Sequence, residues 1–566
     1  MKKVIIAAIC LFVSTFSAMA SKAISLPLTI QQSDGSYITV YLHGDADFHW
    51  YTDLEGNILE RNGNDFKRIG ISNEEYLAQG NAAKQQRMKK ISLGTTTPAY
   101  FPHSGKPKAL MILVNFTDST FKLTDPKRSF DEYLNSETRP VRYDHREDRN
   151  MGSVATYFKD MSNGAFTPQF DVVGPVTVSQ GVAAYGGNTG GESTDKNVPG
   201  LISEALKLVD DQVDFTQYDN DGDGYIDIVG IIYAGYSENV GASSNTIWPK
   251  SGYTTLGTYD GKKASRYIVS GELNFYPGYT TTPRMNGVGV FIHEFGHAMG
   301  LPDLYPTVSS ARVDNQAMEY WDVMDGGEYT DNGYCPTPYT PWEKEVMGWD
   351  KVNTITDAGT YTLKAAEACR IDGADGEYVI LQNIPVDNSG WYYGLNSLNR
   401  YKTGNRDLGG MIAYRVDYPS ASVNLFDSPN NTKGSPALTI IPADGILCSS
   451  YTTADDVYML SHCNDLYPYY DINSTTGEKT LVCDSIVNAK LNRSTLDKPV
   501  YNIKFSDNVV TFDFLKNTAT AISGVTVVSH DADSRIFSVD GRYMGNDASQ
   551  LPKGLYIQGG RKFVVR

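Results

Sequence analysis

The chain has 566 residues, a formal net charge of −17 and 41% hydrophobic residues. This length exceeds what one hydrophobic core normally organises, so we expect about two to four domains in a folded globular protein. The acidic charge argues against a nucleic-acid partner, because phosphate binding needs concentrated Lys and Arg. The composition instead indicates a protein with acidic, cation-binding loops.

The first residues are typical of a secretory signal peptide. Lys2 and Lys3 precede the apolar stretch Val4 to Phe16, and Ala18-Met19-Ala20 has the small residues of a cleavage site. The apolar stretch is too short to remain across a bilayer, and no later segment has an apolar run of membrane-spanning length. We therefore predict a signal peptide at residues 1–20, export through the Sec pathway, and a protein that is secreted or at the cell surface.

Residues 21–95 form a small domain of their own in this interpretation, because turn signals separate segments of alternating apolar character. The stretch Lys84 to Lys90 is basic and helical in pattern. Leu93 to Lys108 then reads as an exposed linker, rich in Thr, Pro and Gly. The junction is therefore either a site of proteolytic release or a plain interdomain connector.

Residues 96–350 interleave predicted helices with predicted strands. Ala109 to Phe116 and Ile226 to Tyr233 are continuous apolar runs of strand length, whereas Ser153 to Met161 and Val198 to Val209 have helical spacing. This alternation predicts an α/β or α+β catalytic domain.

The remaining chain has the short strands and turns of all-β structure. Residues 351–515 contain runs such as Tyr378 to Leu381 and Met411 to Val416, which predict a β-sandwich-like accessory domain. Lys516 to Ser523 is a polar linker, and residues 521–566 predict a separate small β-module.

The segment His293-Glu294-Phe295-Gly296-His297 carries the main chemical signal. On a helix, the two histidines are one turn apart and project from the same face, where they can bind one zinc ion. Glu294 then faces the adjoining solvent, where its carboxylate can act as the general base towards a zinc-activated water. The alternative is a surface helix with two solvated histidines.

The residues after this helix supply a third ligand in this interpretation. Gly300 permits a sharp turn, Pro302 prevents continuation of the helix, and the chain can fold back to bring Asp303 to the metal. Three protein ligands leave a fourth position open for water, as a catalytic zinc site requires. The sequence therefore predicts peptide-bond or related hydrolysis at a zinc centre.

The segment from Asp219 to Asp227 has the spacing of a calcium loop. Carboxylates come from Asp219, Asp221, Asp223 and Asp227, Gly224 provides the turn, and Tyr225 offers its backbone carbonyl. The bidentate Glu of an EF-hand is absent, so another group must complete the shell. We expect a structural Ca²⁺ ion, with an acidic solvated turn as the alternative.

The zinc segment through Asp303 resembles the motif of the immune inhibitor A (thuringilysin) family of secreted bacterial metalloproteases, a metzincin-like group. Shorter patches in the same order extend the resemblance over about residues 30–515: Gly44 to Trp50, Ile247 to Pro249, Leu301 to Tyr305, and Trp342 to Trp349. It implies a zincin- or metzincin-like α+β catalytic domain, an N-terminal propeptide domain that keeps a zymogen latent, and protein or peptide substrates.

Three further expectations come from this resemblance. Met324, in Trp321 to Gly327, corresponds to the methionine beneath the zinc of metzincins, and Tyr329 and Tyr334 are both candidates for a tyrosine that stabilises the oxyanion. A propeptide carboxylate or imidazole could block the zinc; the nearby candidates are His43, Asp45, Asp47 and His49. Met324 could otherwise be an ordinary core residue.

The C-terminal module resembles the sorting tail of proteins exported by the type IX system of Bacteroidetes. The likeness comes from Asp540-Gly541-Arg542, Leu551 to Ile557 and the basic ending Lys562 to Arg566. It implies the type IX secretion machinery as a partner, and a plain β-module is the alternative.

The sequence thus favours a secreted zinc endopeptidase that cleaves extracellular proteins. A secreted binding or adhesive protein with a vestigial zinc site is the main alternative, and a zinc hydrolase of small molecules is a weaker one. A degenerate site usually loses the general base or a ligand, and here all are present.

Overall fold

The computed structural model describes residues 17–91, 99–137, 150–188, 194–274, 284–312, 316–387, 389–400, 409–425, 427–450, 455–473, 476–516, 536–538, 543–545, 547–558 and 561–565. The chain divides into two compact units between Lys516 and Asn517. Residues 1–16 of the predicted signal peptide and the turn Asp540-Gly541-Arg542 lie outside the described residues.

The N-terminal region is an antiparallel meander followed by one long helix. Strands β2 to β6 pair in chain order, so each strand hydrogen-bonds to the next. The elements are β1 (Ser17–Met19), β2 (Leu28–Gln31), β3 (Tyr37–Asp45), β4 (Phe48–Thr52), β5 (Ile58–Asn62), β6 (Asp65–Arg68) and α1 (Asn73–Ile91).

The region that follows is a mixed α/β layer structure, as the interleaved patterns predicted. Its elements are β7 (Lys108–Asn115), α2 (Pro126–Asn135), α3 (Val154–Met161), β8 (Gln169–Thr177), α4 (Val182–Tyr185), α5 (Val198–Val209), β9 (Tyr225–Ile226), β10 (Val229–Tyr236), β11 (Lys250–Tyr259), β12 (Lys262–Asn274), β13 (Arg284–Met285), α6 (Val288–Ala298), α7 (Ser309–Arg312) and α8 (Pro341–Val346). The predicted strand at Ala109 to Phe116 and the predicted helices at Ser153 to Met161 and Val198 to Val209 are confirmed within one residue at each end.

The main sheet has the order β1-β11-β12-β10-β7-β8, with β9 and β13 also paired to β12. Strands β12, β10, β7 and β8 run parallel, whereas β11 is antiparallel to β12. The N-terminal strand β1 lies antiparallel along the outer edge of β11. The edge strand of the sheet is thus covered by a segment from the beginning of the chain.

Alternating residues of β7 explain why helices cover both faces of this sheet. Leu110, Ile112 and Val114 pack in one hydrophobic cluster with the apolar side of α5. Ala109, Met111 and Leu113 point the other way, into the cluster that contains α3 and α6. Since side chains alternate between the faces of a strand, the continuous apolar run of β7 is that of a strand buried on both sides.

The region after α8 is a two-layer β structure with two added helices. Its elements are β14 (Asn353–Thr354), β15 (Gly359–Leu363), β16 (Ala368–Asp372), β17 (Tyr378–Ile384), α9 (Tyr393–Arg400), β18 (Gly410–Val416), β19 (Leu438–Ile440), α10 (Asp455–Cys463), β20 (Tyr469–Ile472), β21 (Lys479–Cys483), β22 (Val500–Ser506) and β23 (Val509–Phe514). One sheet has the order β14-β16-β17-β18-β19 and another has the order β15-β23-β22. Val379 and Leu381 pack with Val510 and Phe512 in one core.

The expectation of purely β structure over residues 351–515 is wrong, because α9 and α10 lie within it. In α10 the buried side chains include Tyr458, Met459, His462 and Cys463, which have helical spacing. The His462 ring stacks on Trp321, with 4.2 Å between ring centroids. This helix thus packs against the segment that precedes Met324.

The C-terminal unit is a small antiparallel sheet. Its strands are β24 (Ile536–Ser538), β25 (Tyr543–Gly545), β26 (Gly554–Gln558) and β27 (Arg561–Val565), in the order β25-β24-β26-β27. Within the described ranges of the whole chain, every helix is too short or too polar to cross a bilayer.

Candidate metal centre and peptide cleft

Helix α6 places two imidazoles and, through the following turn, one carboxylate around a common point. The Nε2 atoms of His293 and His297 are 3.2 Å apart, and they lie 3.4 Å and 3.2 Å from Oδ1 of Asp303. Both histidines are fully buried, and Asp303 is nearly so. A tetrahedron with bonds of about 2.0 Å has edges of about 3.3 Å, so this triangle fits one face of a zinc coordination sphere.

Hydrogen bonds on the far side of each ring fix which nitrogen faces this point. Nδ1 of His293 lies 2.9 Å from the carbonyl oxygen of Val323, and Nδ1 of His297 lies 2.7 Å from that of Leu301. A carbonyl can only accept, so each Nδ1 carries the proton and a neutral ring then presents an Nε2 lone pair. Oδ1 of Asp303 accepts no hydrogen bond among the described residues. Three lone pairs converging in a buried space repel each other, and a cation between them removes that repulsion.

A left-handed glycine at the end of α6 delivers Asp303. Gly300 has φ +105°, and the amide of Leu301 donates back to the carbonyl of Gly296 at 3.1 Å. This is the bond pattern with which a glycine ends a helix and reverses the chain. The sequence prediction that Gly300 and Pro302 fold the chain back to the histidines therefore describes the observed path.

Met324 lies directly beneath the histidine helix. An added Cβ at Gly296 would come within 2.6 Å of its Sδ atom, so only glycine at this position leaves room for the sulfur. The Met324 side chain is fully buried, and its carbonyl accepts from the amide of Leu304 at 3.0 Å. The glycine inside the histidine motif thus allows the methionine turn to approach the helix.

Glu294 is fully buried beside the two imidazoles. Its Oε1 accepts a hydrogen bond from the amide nitrogen of Ser21 at 2.7 Å, and its Oε2 has no hydrogen-bond partner among the described residues. Burial raises the pKa of Glu294, while the nearby His293 and His297 lower it. A carboxylate with a raised pKa and one open oxygen is suited to accept and return a proton.

The segment from β1 to Ile24 runs through the cleft in the manner of a bound peptide. Ser17–Met19 pairs antiparallel with Tyr253, Gly252 and Ser251 of β11. The Ala20 carbonyl then accepts from the Tyr305 hydroxyl at 2.6 Å, and the Ser21 carbonyl accepts from Nε1 of Trp248 at 2.9 Å. The bond between Ala20 and Ser21 therefore spans the space between Tyr305 and Glu294.

The next residues of this segment are also held through their backbone. The Tyr329 hydroxyl donates to the Lys22 carbonyl, and the amide of Ile24 donates to the carbonyl of Asn239 at 3.0 Å. Backbone contacts of this kind bind a peptide with little regard to its side chains.

The structure distinguishes between the two tyrosines that the sequence left open. Tyr329 faces the cleft and contacts the peptide segment, whereas the hydroxyl of Tyr334 donates to the carbonyl of Met285 at 3.0 Å. Sequence reasoning missed Tyr305, which faces the carbonyl next to Glu294. The sequence signal that could have identified Tyr305 is its position two residues after Asp303, in the same turn that brings this carboxylate to the histidines.

The four residues considered for blocking the metal site are mostly engaged elsewhere. The Asp45 carboxylate pairs with Lys84 at 2.7 Å, His49 Nε2 lies 3.1 Å from Glu238, and His43 Nε2 lies 2.9 Å from the Thr52 hydroxyl. Asp47 lines a small cavity together with Asp303. The group that contacts Glu294 is instead the backbone amide of Ser21.

A second group of acidic side chains gathers in the loop before β9. The ligand atoms of Asp219, Asp221, Asp223 and Asp227 lie within 4.8 Å of one another. One oxygen of Asp219 accepts from Lys262 at 2.5 Å, and the other is buried with no hydrogen-bond partner in the described parts of the chain. Burial raises the pKa of Asp227 to about 6, and Asp221 and Asp223 add to that shift.

Two glycines shape this acidic loop. Gly222 and Gly224 have φ +79° and +89°, in the left-handed region that favours glycine. Tyr225 begins β9 and pairs with Lys263, and the position of its carbonyl relative to the four carboxylates stays a prediction. The donor set is made of oxygen atoms only, as a hard cation such as Ca²⁺ prefers.

The candidate metal centre lies within the part of the chain that matches a known family domain. Residues 100–353 match the model of the immune inhibitor A peptidase M6 catalytic domain. The pre-pro-metalloprotease PrtV of Vibrio cholerae serotype O1 is 26% identical over 273 residues, which are 42% of this chain and 29% of that relative. Immune inhibitor A of Bacillus thuringiensis subsp. alesti is 28% identical over 520 residues, which are 82% of this chain and 70% of that relative.

Proposed function

We propose, from the match of residues 100–353 to the catalytic domain of the immune inhibitor A family of M6 metallopeptidases, that the chain is a zinc-dependent endopeptidase that hydrolyses peptide bonds in extracellular proteins. The observation that carries the proposal is the peptide segment lying across Glu294 and beside the His293, His297 and Asp303 triangle. An extended peptide along the edge strand β11 brings one peptide bond to the carboxylate and the metal position.

His293, His297 and Asp303 hold the zinc ion in this proposal. Bound zinc supplies Lewis acidity, which lowers the pKa of water to about 7 and polarises a carbonyl. The backbone carbonyls of Val323 and Leu301 accept hydrogen bonds from the two Nδ1 atoms, so the Nε2 lone pair of each neutral ring would be available to bind the ion. Met324 supports the histidine helix from below and takes no part in binding.

Glu294 moves the proton. Its carboxylate accepts a proton from the attacking water and returns it to the nitrogen that leaves, which takes the position of the Ser21 nitrogen, 2.7 Å from Oε1. Burial, which raises the pKa of this carboxylate, suits both halves of the transfer.

Tyr305 stabilises the other side of the same bond. Its hydroxyl lies 2.6 Å from the Ala20 carbonyl oxygen, where negative charge would develop as water attacks the carbon. Tyr329 binds the backbone one residue further along, at the Lys22 carbonyl. We therefore assign Tyr305 to the oxyanion and Tyr329 to holding the substrate backbone.

The chain with this segment in place is a latent precursor in this proposal. Ser21 to Ile24 stay in the cleft after the predicted signal peptide is removed, because backbone hydrogen bonds hold them there, so a protein substrate binds only after they are displaced. Removal of a signal peptide at Ala20 would leave the α-amino group of Ser21 where its amide nitrogen now contacts Glu294. The domain at residues 21–95 is accordingly a propeptide.

Asp219, Asp221, Asp223 and Asp227, with the Tyr225 carbonyl, hold a structural Ca²⁺ ion in this proposal. The converging carboxylates and the buried, unpartnered oxygen of Asp219 support it. The loop leads into β9 and β10, so the ion ties the central strand β10 to its neighbour β12.

Export and the sorting tail stay predictions from the sequence. We propose a Sec-exported protein that also crosses an outer membrane through the type IX machinery, using residues 521–566. Mass spectrometry of the exported protein tests both ends of the chain. The proposal requires a chain that begins at Ser21 or later, and removal of the sorting tail requires a chain that ends before residue 521.

We predict that Glu294→Gln lowers kcat/KM for casein cleavage by about 100-fold or more, because an amide cannot accept the proton. The variant should keep stoichiometric zinc, since Glu294 is not a ligand. Casein cleavage is measured before and after removal of the N-terminal segment, with and without a zinc chelator. Glu478→Gln, at an exposed position remote in sequence, is the control and keeps wild-type activity.

Wild-type cleavage by Glu294→Gln, or activity that the chelator does not affect, would contradict the endopeptidase proposal and favour a secreted binding protein. Equal activity of the chain that begins at Ser21 and of the chain that lacks residues 21–24 would contradict latency alone.

Tyr305→Phe and Tyr329→Phe should affect different kinetic constants. Tyr305→Phe loses a hydrogen bond that strengthens in the transition state, so kcat should fall by about 100-fold with little change in KM. Tyr329→Phe loses a contact made equally to substrate and transition state, so KM should rise a few-fold with kcat retained. Steady-state kinetics on one fluorogenic peptide separate the two, and the reverse pattern would overturn both assignments.

Calcium should raise the temperature of unfolding of the wild-type chain, because an ion that binds only the folded state stabilises it by mass action. Asp221→Asn combined with Asp223→Asn removes two ligands from the loop surface and should abolish that shift. Differential scanning calorimetry in chelated and calcium-containing buffer measures it. An equal shift in the wild type and the double variant would rule out this loop as the site.

A further inference from the structure

The side chain of Lys22 fills a closed acidic pocket beside the cleft. Its Nζ atom lies 2.8 Å from Oδ1 of Asp325 and 3.4 Å from Oε2 of Glu319, and all three side chains are at most 2% exposed. Asp325 directly follows Met324, so this pocket adjoins the floor of the metal centre. A cation is thus already seated in it, one residue beyond the amide that contacts Glu294.

Other donors hold the two carboxylates in place without help from Lys22. Oδ2 of Asp325 accepts from the backbone amide of Glu319 at 2.7 Å. Oε2 of Glu319 accepts from the Ser450 hydroxyl at 2.7 Å, and Oε1 accepts from the amide of Ser450 at 3.2 Å. The pocket therefore keeps its shape when the segment that contains Lys22 leaves.

The backbone is bent to build this pocket. Glu319 has φ +51°, in the left-handed region that a residue with a long side chain rarely adopts. Gly326 forms the opposite wall, where an added Cβ would lie 3.0 Å from Nζ and 3.3 Å from Cε of Lys22. A strained glutamate and a close glycine leave a space that fits a long, unbranched cationic side chain.

Loss of Lys22 leaves two carboxylates buried together without a counter-charge. Burial raises the pKa of Glu319, and Lys22 opposes that shift, as expected where a carboxylate depends on a nearby cation. Buried charges without a partner are costly, so the emptied pocket strongly favours another cation over an apolar or acidic side chain.

We propose that the pocket of Glu319, Asp325, Gly326 and Ser450 is a specificity subsite that selects a lysine or arginine side chain at the second residue on the C-terminal side of the cleaved bond. This inference rests on the proposed peptidase function and on the register in which the Ser21 nitrogen marks the leaving amine. Lys22 occupies the subsite in the precursor, and a basic residue of the substrate replaces it in the active enzyme.

Matched fluorogenic peptides test the subsite directly in the processed wild-type enzyme. They differ only at the second residue after the cleaved bond, which is lysine, its uncharged analogue norleucine, or glutamate. We expect kcat/KM for the lysine peptide to exceed that for norleucine by at least about tenfold, with glutamate lowest. Mass spectrometry of the products verifies the bond that is cleaved.

Two pocket variants and one control assign the preference to these residues. Asp325→Asn and Glu319→Gln should each lower the lysine-to-norleucine ratio, whereas Asp350→Asn, an exposed position after α8, should leave it unchanged. Circular dichroism identifies any variant that fails to fold. The comparison of the three peptides with the wild-type enzyme tests the subsite even if both variants fail to fold.

The possible results separate the two proposals. Equal rates for the three peptides, or a preference for a basic residue only at another position, would overturn the subsite while leaving the peptidase intact. Failure to cleave any of the peptides together with failure to cleave casein would overturn the peptidase proposal itself.

Discussion

The account depends on three lone pairs that converge in a buried space. Nδ1 of each histidine donates to a backbone carbonyl, so the Nε2 atom of each neutral ring presents its lone pair towards Oδ1 of Asp303, at 3.2–3.4 Å. Without a cation this arrangement is repulsive, and with one it is a coordination site. The fold is organised to hold these atoms together: a helix gives the spacing, a left-handed glycine gives the reversal, and the methionine turn supports both.

The same organisation explains how a cleft for peptides lies beside the metal centre. Strand β11 offers backbone groups at the edge of the sheet, and β1, from the predicted signal peptide, pairs with them in the full-length chain. Tyr305 and Glu294 then face opposite sides of a single peptide bond. An exposed edge strand can pair with a strand from another chain, so the segment that occupies β11 also protects it from such pairing. Binding of the N-terminal segment and binding of substrate are therefore alternative uses of one surface.

The sequence predicted the parts of the site that depend on local periodicity. The i, i+4 spacing of His293 and His297 and the Gly300 stop signal are local, and both describe the structure. Tyr305 and the acidic pocket were missed because they depend on how distant parts of the chain pack together. Glu319 reaches the pocket only because its backbone is left-handed, and Ser450 comes from a distant part of the chain. That Tyr329 reaches the cleft and Tyr334 does not likewise needed coordinates, since both are buried tyrosines near one turn.

X-ray absorption at the zinc edge is the most direct test of the central claim. The account predicts that the purified chain holds stoichiometric zinc with four nitrogen and oxygen ligands at about 2.0–2.1 Å and scattering from two imidazoles. His297→Ala should lose one imidazole contribution together with most of the zinc affinity. A spectrum with sulfur ligands, or one that His297→Ala leaves unchanged, would contradict the assignment of these three residues.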